Sequence, residues 1–332
     1  MRRNLSRFSC NSLIVGGLVC AVAACADDDP DAHEHDQPHD ASTTDAQMNS
    51  SSSDAGESTQ AVAISFEARV GQEAFDCTQT YELGTAKTAV KPLDLKLYVH
   101  GLQLIDANGK AVDVALDQDG TWQHQNVALL DFEDDSGSCS NGTAEVNTKL
   151  VGRVPAGTYK GLKFNLGVPE LMNHQNQAKA ASPLNIEGMF WSWLTGYKFL
   201  RIDVMPVHAM MAAPADAEDA GAGHTGTLMG FLVHLGSTMC SGNPMGGEGV
   251  DCKRSNRPSA SFASFDASKQ KIVVDLATLL ETSNVSKNQG GQPGCMSAPD
   301  DPECQAVFEQ IGVDLATGKS TGTPKFLSVV RL

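Results

Sequence analysis

From residue 62 onward the chain is written in short runs that alternate apolar and polar residues, each closed by a turn signal. AISFEARV (63–70), LKLYVHGLQLID (95–106), KAVDVAL (110–116), QNVALLDF (125–132), YKGLKFNLGV (159–168), YKFLRIDV (197–204), TLMGFLVHLG (227–236), ASFASFD (260–266) and QKIVVDL (270–276) carry this pattern. ANGK, VPAGT and DASK supply turns between them. Successive strand side chains point to opposite faces, so a period of two fits half-buried strands and not amphipathic helices. Such runs at regular spacing predict a mainly β fold, an antiparallel β-sandwich. LATLLET after the last run opens a short helix. DPECQAVFEQIG (301–312) has helical apolar spacing and an acidic start that suits a helix N-terminus. Two long loops interrupt the pattern, at 205–226 and 281–304, and no internal repeat is present.

The cysteines bind this framework together. Residues 1–24 read as a lipoprotein signal peptide: arginines in MRRNLSRF, the apolar SLIVGGLVCAVAA, then a VAAC box that makes Cys25 the lipid-modified residue. Of nine cysteines, Cys10 and Cys20 leave with the signal, and Cys77, Cys139, Cys240, Cys252, Cys295 and Cys304 remain for the domain. An even number in an exported chain reads as disulfides, and nearness in sequence favours Cys240–Cys252 and Cys295–Cys304, leaving Cys77–Cys139. The 281–304 loop is then pinned by its own bridge. Residues 25–60 hold ten acids, no Lys or Arg after the signal, and almost nothing to bury, so they are expected to form a disordered acidic tether. The domain, 61–332, follows. With a net charge of −16 the chain lacks the basic face a nucleic-acid partner needs. No apolar run reaches the length of a membrane span, so membrane contact is expected only through the lipid anchor, at the outer membrane.

Catalytic templates are missing. There is no GxSxG elbow, no HExxH, no phosphate loop, no GxGxxG after a strand, and no spacing that singles out a Ser–His–Asp set. The chain reads as a binding protein and not as an enzyme. Its histidines sort by context. His33, His35 and His39 lie in the tether, which reads as a solvating linker or a loose divalent-metal site. His100 and His124 read as ordinary hydrogen-bonded histidines. His208 and His224 flank the 205–226 loop with Met205, Met210 and Met211, where thioethers would suit Cu(I). His174 follows a strand end in LGVPELMNHQN, and His234 sits inside a strand close to Cys240, which gives it the rigidity a metal ligand needs. Two of the three tryptophans, Trp191 and Trp193, share the block GMFWSWLTGYKFLRIDV. If 190–193 is extended, both indoles face one way.

Four blocks, LGVPELMNHQN, GMFWSWLTGYKFLRID, FLVHLGSTMC with Cys252, and GCMSAPDDPECQAVFEQIGVDL, resemble the MbnP family over residues 62 to 315. These are exported copper-binding proteins, distantly similar to MopE. The resemblance implies a partner, the di-haem cytochrome c peroxidase-like MbnH protein, that opens one tryptophan to kynurenine so that copper can bind. Trp191 or Trp193 is then the modified residue, His174 and His234 are the copper ligands, and Tyr197 or the second tryptophan carries an oxidising hole. Indole has only a donor N–H, whereas the opened ring offers an amine and a ketone, and a small nitrogen ligand set suits Cu(I). The 205–226 loop departs from the family pattern, so His208 and His224 stay as further candidate ligands. The rival from another class is an adhesion or carbohydrate-binding sandwich, with Trp191, Trp193 and Tyr197 as an exposed stacking platform. A copper-dependent oxidase is a third reading.

Overall fold

The computed structural model describes residues 58–140, 142–208, 230–243 and 248–332. The signal, Cys25, nearly all of the tether with its histidines, Met210, Met211 and His224 lie outside the described residues.

Ten longer strands build two sheets. They are β1 (Thr59–Val70), β2 (Thr88–Asp106), β3 (Val127–Asp131), β4 (Lys149–Pro155), β5 (Tyr159–Leu166), β6 (Leu200–Pro206), β7 (Phe231–Leu235), β8 (Ser259–Phe262), β9 (Gln270–Asp275) and β10 (Leu327–Arg331). The first sheet runs β10-β9-β1-β4 and ends on the short Ala115–Leu116 strand. The second runs β8-β5-β2-β6-β7 and ends on Gly294–Cys295, with β3 also paired to β2. β1 alternates as its sequence implies, burying Ile64, Phe66, Ala68 and Val70. The sheets meet through one core, seen where Phe66 of β1 meets Phe164 of β5 edge-on, ring centroids 5.8 Å apart. The fold is mainly β and sandwich-like, as the alternation predicts.

The pairing is not wholly antiparallel. β1 runs parallel to β9, and β7 runs parallel to Gly294–Cys295. Alternation reports which face a side chain takes and is silent on the direction of the neighbouring strand. The run 110–116 is two strands: Ala111–Asp113 pairs with β2, and Ala115–Leu116 crosses to β4. The expected tether ends two residues early, because Thr59 and Gln60 already pair with Pro155 and Val154 of β4. Helices α1 (Glu170–Asn173), α2 (Leu276–Leu280) and α3 (Cys304–Ile311) complete the elements that matter below. The three disulfides are Cys77–Cys139, Cys240–Cys252 and Cys295–Cys304. No helix among the described residues is long and apolar enough to cross a membrane.

The middle of β2 is buried on both faces. Leu95, Leu97 and Val99 face one way, while Asp94, Lys96 and Tyr98 face the other. That second face, shared with β3, β6 and β7, carries the candidate site.

Candidate metal centre

Strand register lines up four charged or titratable residues in one row. Asp131 of β3 pairs with Lys96 of β2, Lys96 with Arg201 of β6, and Arg201 with His234 of β7. Asp94 and Asp203 oppose each other in the next row. Two cations side by side inside a protein need carboxylates between them. Lys96 Nζ lies 3.2 Å from Asp94, 3.4 Å from Asp131 and in contact with Glu133. Arg201 donates to Asp203 from Nε at 2.8 Å and reaches Asp94 from Nη1 at 3.0 Å. Asp203 Oδ1 accepts from His234 Nε2 at 2.8 Å. His234 thus ends a continuous chain of ion pairs and hydrogen bonds, buried except at the half-buried Arg201.

The charge balance along this chain is uneven. Burial raises the Asp203 carboxyl pKa, but the hydrogen bond from His234 and the charge and hydrogen bond of Arg201 outweigh it and hold the group below its ordinary value. At Asp131 burial wins over Lys96, and with Glu133 and Asp94 nearby the carboxyl is pushed up to about 7. Because ionised Asp203 can only accept, His234 donates from Nε2 and keeps its Nδ1 lone pair for another partner. A metal-binding histidine is commonly anchored this way, its second nitrogen donating to a carboxylate.

His174 is set by different partners. It caps α1, where its Nδ1 lies 3.2 Å from the Trp193 carbonyl oxygen, an acceptor that requires Nδ1–H. Its Nε2 lone pair then faces the Asn173 amide nitrogen at 3.1 Å, with Glu170 and Cys252 Sγ each at 3.5 Å. Asn173 is fully buried and joins both halves of the site. Its Oδ1 accepts from Tyr197 N at 3.0 Å, and its Nδ2 lies 3.5 Å from Ser237 Oγ. Gly196, at φ +78°, has no room for a side chain, since a Cβ there would sit 2.4 Å from Asn173 Oδ1.

The tryptophans part company. Phe190–Ser192 and Gly196–Tyr197 form a small hairpin, and Trp193 lies in its turn. The extended segment on which a shared face depended therefore stops one residue short, at Ser192. Trp191 packs on His234, ring centroids 6.3 Å apart and planes at 49°. Gly236 permits this approach: a Cβ there would lie 2.4 Å from Trp191 Cζ3. Trp193 turns to Phe190, edge-on at 6.5 Å, and Phe190 meets Tyr197 at 5.1 Å. Tyr197 is wholly buried, its hydroxyl donating to the Leu184 carbonyl at 2.7 Å, and burial pushes its pKa up to about 12. A residue with no exposed surface cannot join a sugar-stacking platform, so that reading loses Tyr197.

His174 and the sulfurs of Cys240 and Cys252 also cluster within 4.8 Å, but both sulfurs are spent in their disulfide. His208 lies exposed two residues past β6, and no contact joins it to the site among the described residues. Asp203, Arg201, Asp94, Lys96, Asp131 and Asn173 were missed from sequence. A signal existed for most of them: PLDLKLYV and LRIDV place charges on one face of strands that are otherwise apolar.

The family model for MbnP matches residues 59–297. Among solved structures, MbnP from Methylosinus trichosporium is 35% identical, with a TM-score of 0.70, over 82% of this chain and 99% of that one. No curated protein sequence matches. With its matched segment spanning both sheets, the His174 loop, the tryptophan hairpin and the Cys240–Cys252 bridge, this chain belongs to the MbnP family.

Proposed function

We propose that this protein binds copper, as Cu(I), once Trp191 has been opened to kynurenine by a partner di-haem enzyme, and that it works as an exported, lipid-anchored copper-handling protein. On this reading it is the substrate of an oxidising enzyme. The observation that carries the proposal is the packing of Trp191 on His234 across Gly236, beside a second histidine held by the same hairpin. The donor set fits the metal. Each histidine has one nitrogen committed to an oxygen acceptor and the other left with its lone pair, which is the neutral state a copper ligand requires. The intact indole adds no lone pair, and its opened form adds an amine nitrogen. His234 and His174 would hold the ion, Asp203 would orient His234, and the Trp193 carbonyl would orient His174.

Peptide mass spectrometry of protein made beside its native partner tests the assignment. Kynurenine, in which the indole loses a carbon and gains an oxygen, is expected at Trp191 and absent at Trp193. Trp191→Phe should remain unmodified and bind copper weakly, and His174→Ala with His234→Ala should abolish tight binding. Copper binding of equal strength by unmodified protein would overturn the proposal. Modification confined to Trp193 would overturn the choice of residue.

A further inference from the structure

The three disulfides are not alike in access. Cys77, Cys139, Cys295 and Cys304 are each no more than 3% exposed. Cys240 and Cys252 are half-buried, and they join Thr238–Ser241 to Asp251–Arg254, a strand pair outside both main sheets. Thiol–disulfide exchange needs access to a sulfur, so a thiol reductant should open this bridge first. The strands have other ties. Cys240 and Cys252 face each other in the ladder, and Arg254 Nη1 donates to Thr238 Oγ1 at 3.0 Å across it. Asn256 Nδ2 donates to the Gly236 carbonyl at 2.7 Å just beyond. With the bridge opened, the two sulfurs would remain opposite each other.

His174 stands beside them. Its Nε2 lies 3.5 Å from Cys252 Sγ, and one ligand atom from each of His174, Cys240 and Cys252 falls within 4.8 Å of the others. Because Nδ1–H is held by the Trp193 carbonyl, Nε2 presents its lone pair to the sulfurs. With metal–sulfur bonds of about 2.3 Å and metal–nitrogen bonds of about 2.0 Å, as at zinc sites, trigonal or tetrahedral angles put sulfur and nitrogen about 3.5–3.7 Å apart. The contact between His174 and Cys252 already has that length. We propose that Cys240 and Cys252, once reduced, form with His174 a Cu(I) site that needs no kynurenine. The reduction breaks the S–S bond: a dithiol donor gives two electrons and two protons, leaves two thiols on the protein and closes its own disulfide. Cu(I) then displaces both thiol protons to solvent and takes two soft thiolates and one imidazole. In the disulfide form neither sulfur is a thiolate, the species that binds metal. The redox state of this bridge thus decides whether His174 serves the sulfurs or the tryptophan side, since its one lone pair can hold one ion.

The test uses the full chain made without an oxidising partner. The folded protein is treated with dithiothreitol, which is then removed by gel filtration under argon, and free thiols are located by alkylation and peptide mass spectrometry. Label should appear at Cys240 and Cys252 while Cys77–Cys139 and Cys295–Cys304 stay closed. Cu(I) is then titrated in competition with the colorimetric chelator bicinchoninate. The dithiol form should take up one Cu(I) more than about 100-fold tighter than the disulfide form, a larger change than outer-shell residues produce. A thiolate-to-copper charge-transfer band should accompany it. His174→Ala should keep both thiols and lose most of the gain, and Cys240→Ser with Cys252→Ser should show no gain after the same treatment. Tight binding by the disulfide form would count against the kynurenine reading, whereas the present proposal is judged on the gain that reduction adds. Equal affinity of the two forms overturns it. So does a full gain retained in His174→Ala, or a buried bridge that opens before Cys240–Cys252.

Discussion

Asp203→Asn is the most informative single change at the candidate metal centre. The side chain keeps its shape but loses its charge and one acceptor. Asp203 accepts from His234 Nε2 and Arg201 Nε, each at 2.8 Å, in a position only 3% exposed. An amide can accept one of those hydrogen bonds and must turn its own N–H toward the other donor. Arg201 retains Asp94 at 3.0 Å, so the network is damaged and not dissolved. Removing one partner from a buried ion pair costs about 3–5 kcal/mol. For a domain of this size that corresponds to a fall in Tm of about 10 °C. The pH dependence has a definite sign. Asp203 has a folded-state pKa below the ordinary carboxylate value, so its stabilisation is present above about pH 4 and is lost as pH falls through the folded value. The gap between wild type and Asp203→Asn should therefore close in acid. Ring-nitrogen NMR gives the second readout: wild-type His234 should show one protonated nitrogen, Nε2, and the variant a mixture. On the proposed function, copper affinity should drop by about 10–100-fold. A variant with wild-type Tm and wild-type His234 nitrogen shifts would refute the claim that Asp203 fixes this ring.

Gly236→Ala would place a Cβ 2.4 Å from Trp191 Cζ3 and 2.8 Å from the Tyr197 carbonyl oxygen, which cannot both yield. Overpacking of this kind costs about 1–3 kcal/mol, and the indole should move off His234, altering the ring-current shifts of the imidazole; unchanged shifts would contradict the packing. Asp131→Asn should flatten part of the stability profile. Asp131 titrates at about 7 when folded, above its unfolded value of about 4, so its contribution is full below pH 4 and fades as pH rises to 7. Wild type should accordingly lose stability relative to Asp131→Asn across that window, by at most about 4 kcal/mol. Denaturant melts at pH 4.5 and 8 with a constant difference between the two proteins would dispose of this.

Strands such as β1 were legible because one face lies in the core, and burial of one face writes a period of two into the sequence. β4 and β10 escaped because one of the three buried positions in KLVGRVP is Gly152, which carries no apolar side chain, and LSVVR fully buries only Leu327. Two of the three disulfides followed from nearness in sequence, and Cys77–Cys139 was the pair they left. The row from Asp131 to His234 could not be read, because register depends on which strands pair. His234 and His174 stood out as histidines in ordered places, whereas their orienting partners are remote: Asp203 lies 31 residues from His234, and the Trp193 carbonyl lies 19 residues from His174. Asn173 was visible only as the residue before His174. Its role comes from Tyr197, which brings the tryptophan hairpin to it.

That last contact bears on how modification would control binding. Asn173 holds the hairpin through Tyr197 N and also faces the His174 lone pair through Nδ2. An ion approaching His174 must displace that one amide hydrogen bond, a net loss of about 1 kcal/mol. His234 offers Nδ1 without disturbing its bond to Asp203. On the proposed reading, the two histidine ligands would thus be offered at small cost before any third exists. Trp191 lies against His234 but has no lone pair to offer. On the proposed reading, the difference in copper affinity between unmodified and modified protein therefore comes from the third ligand, with little refolding. Amide hydrogen exchange of β6, β7 and the tryptophan hairpin should then be the same in both forms without copper. Broad loss of protection in the unmodified form would mean that the oxidation builds the site, and that the histidines are not set beforehand.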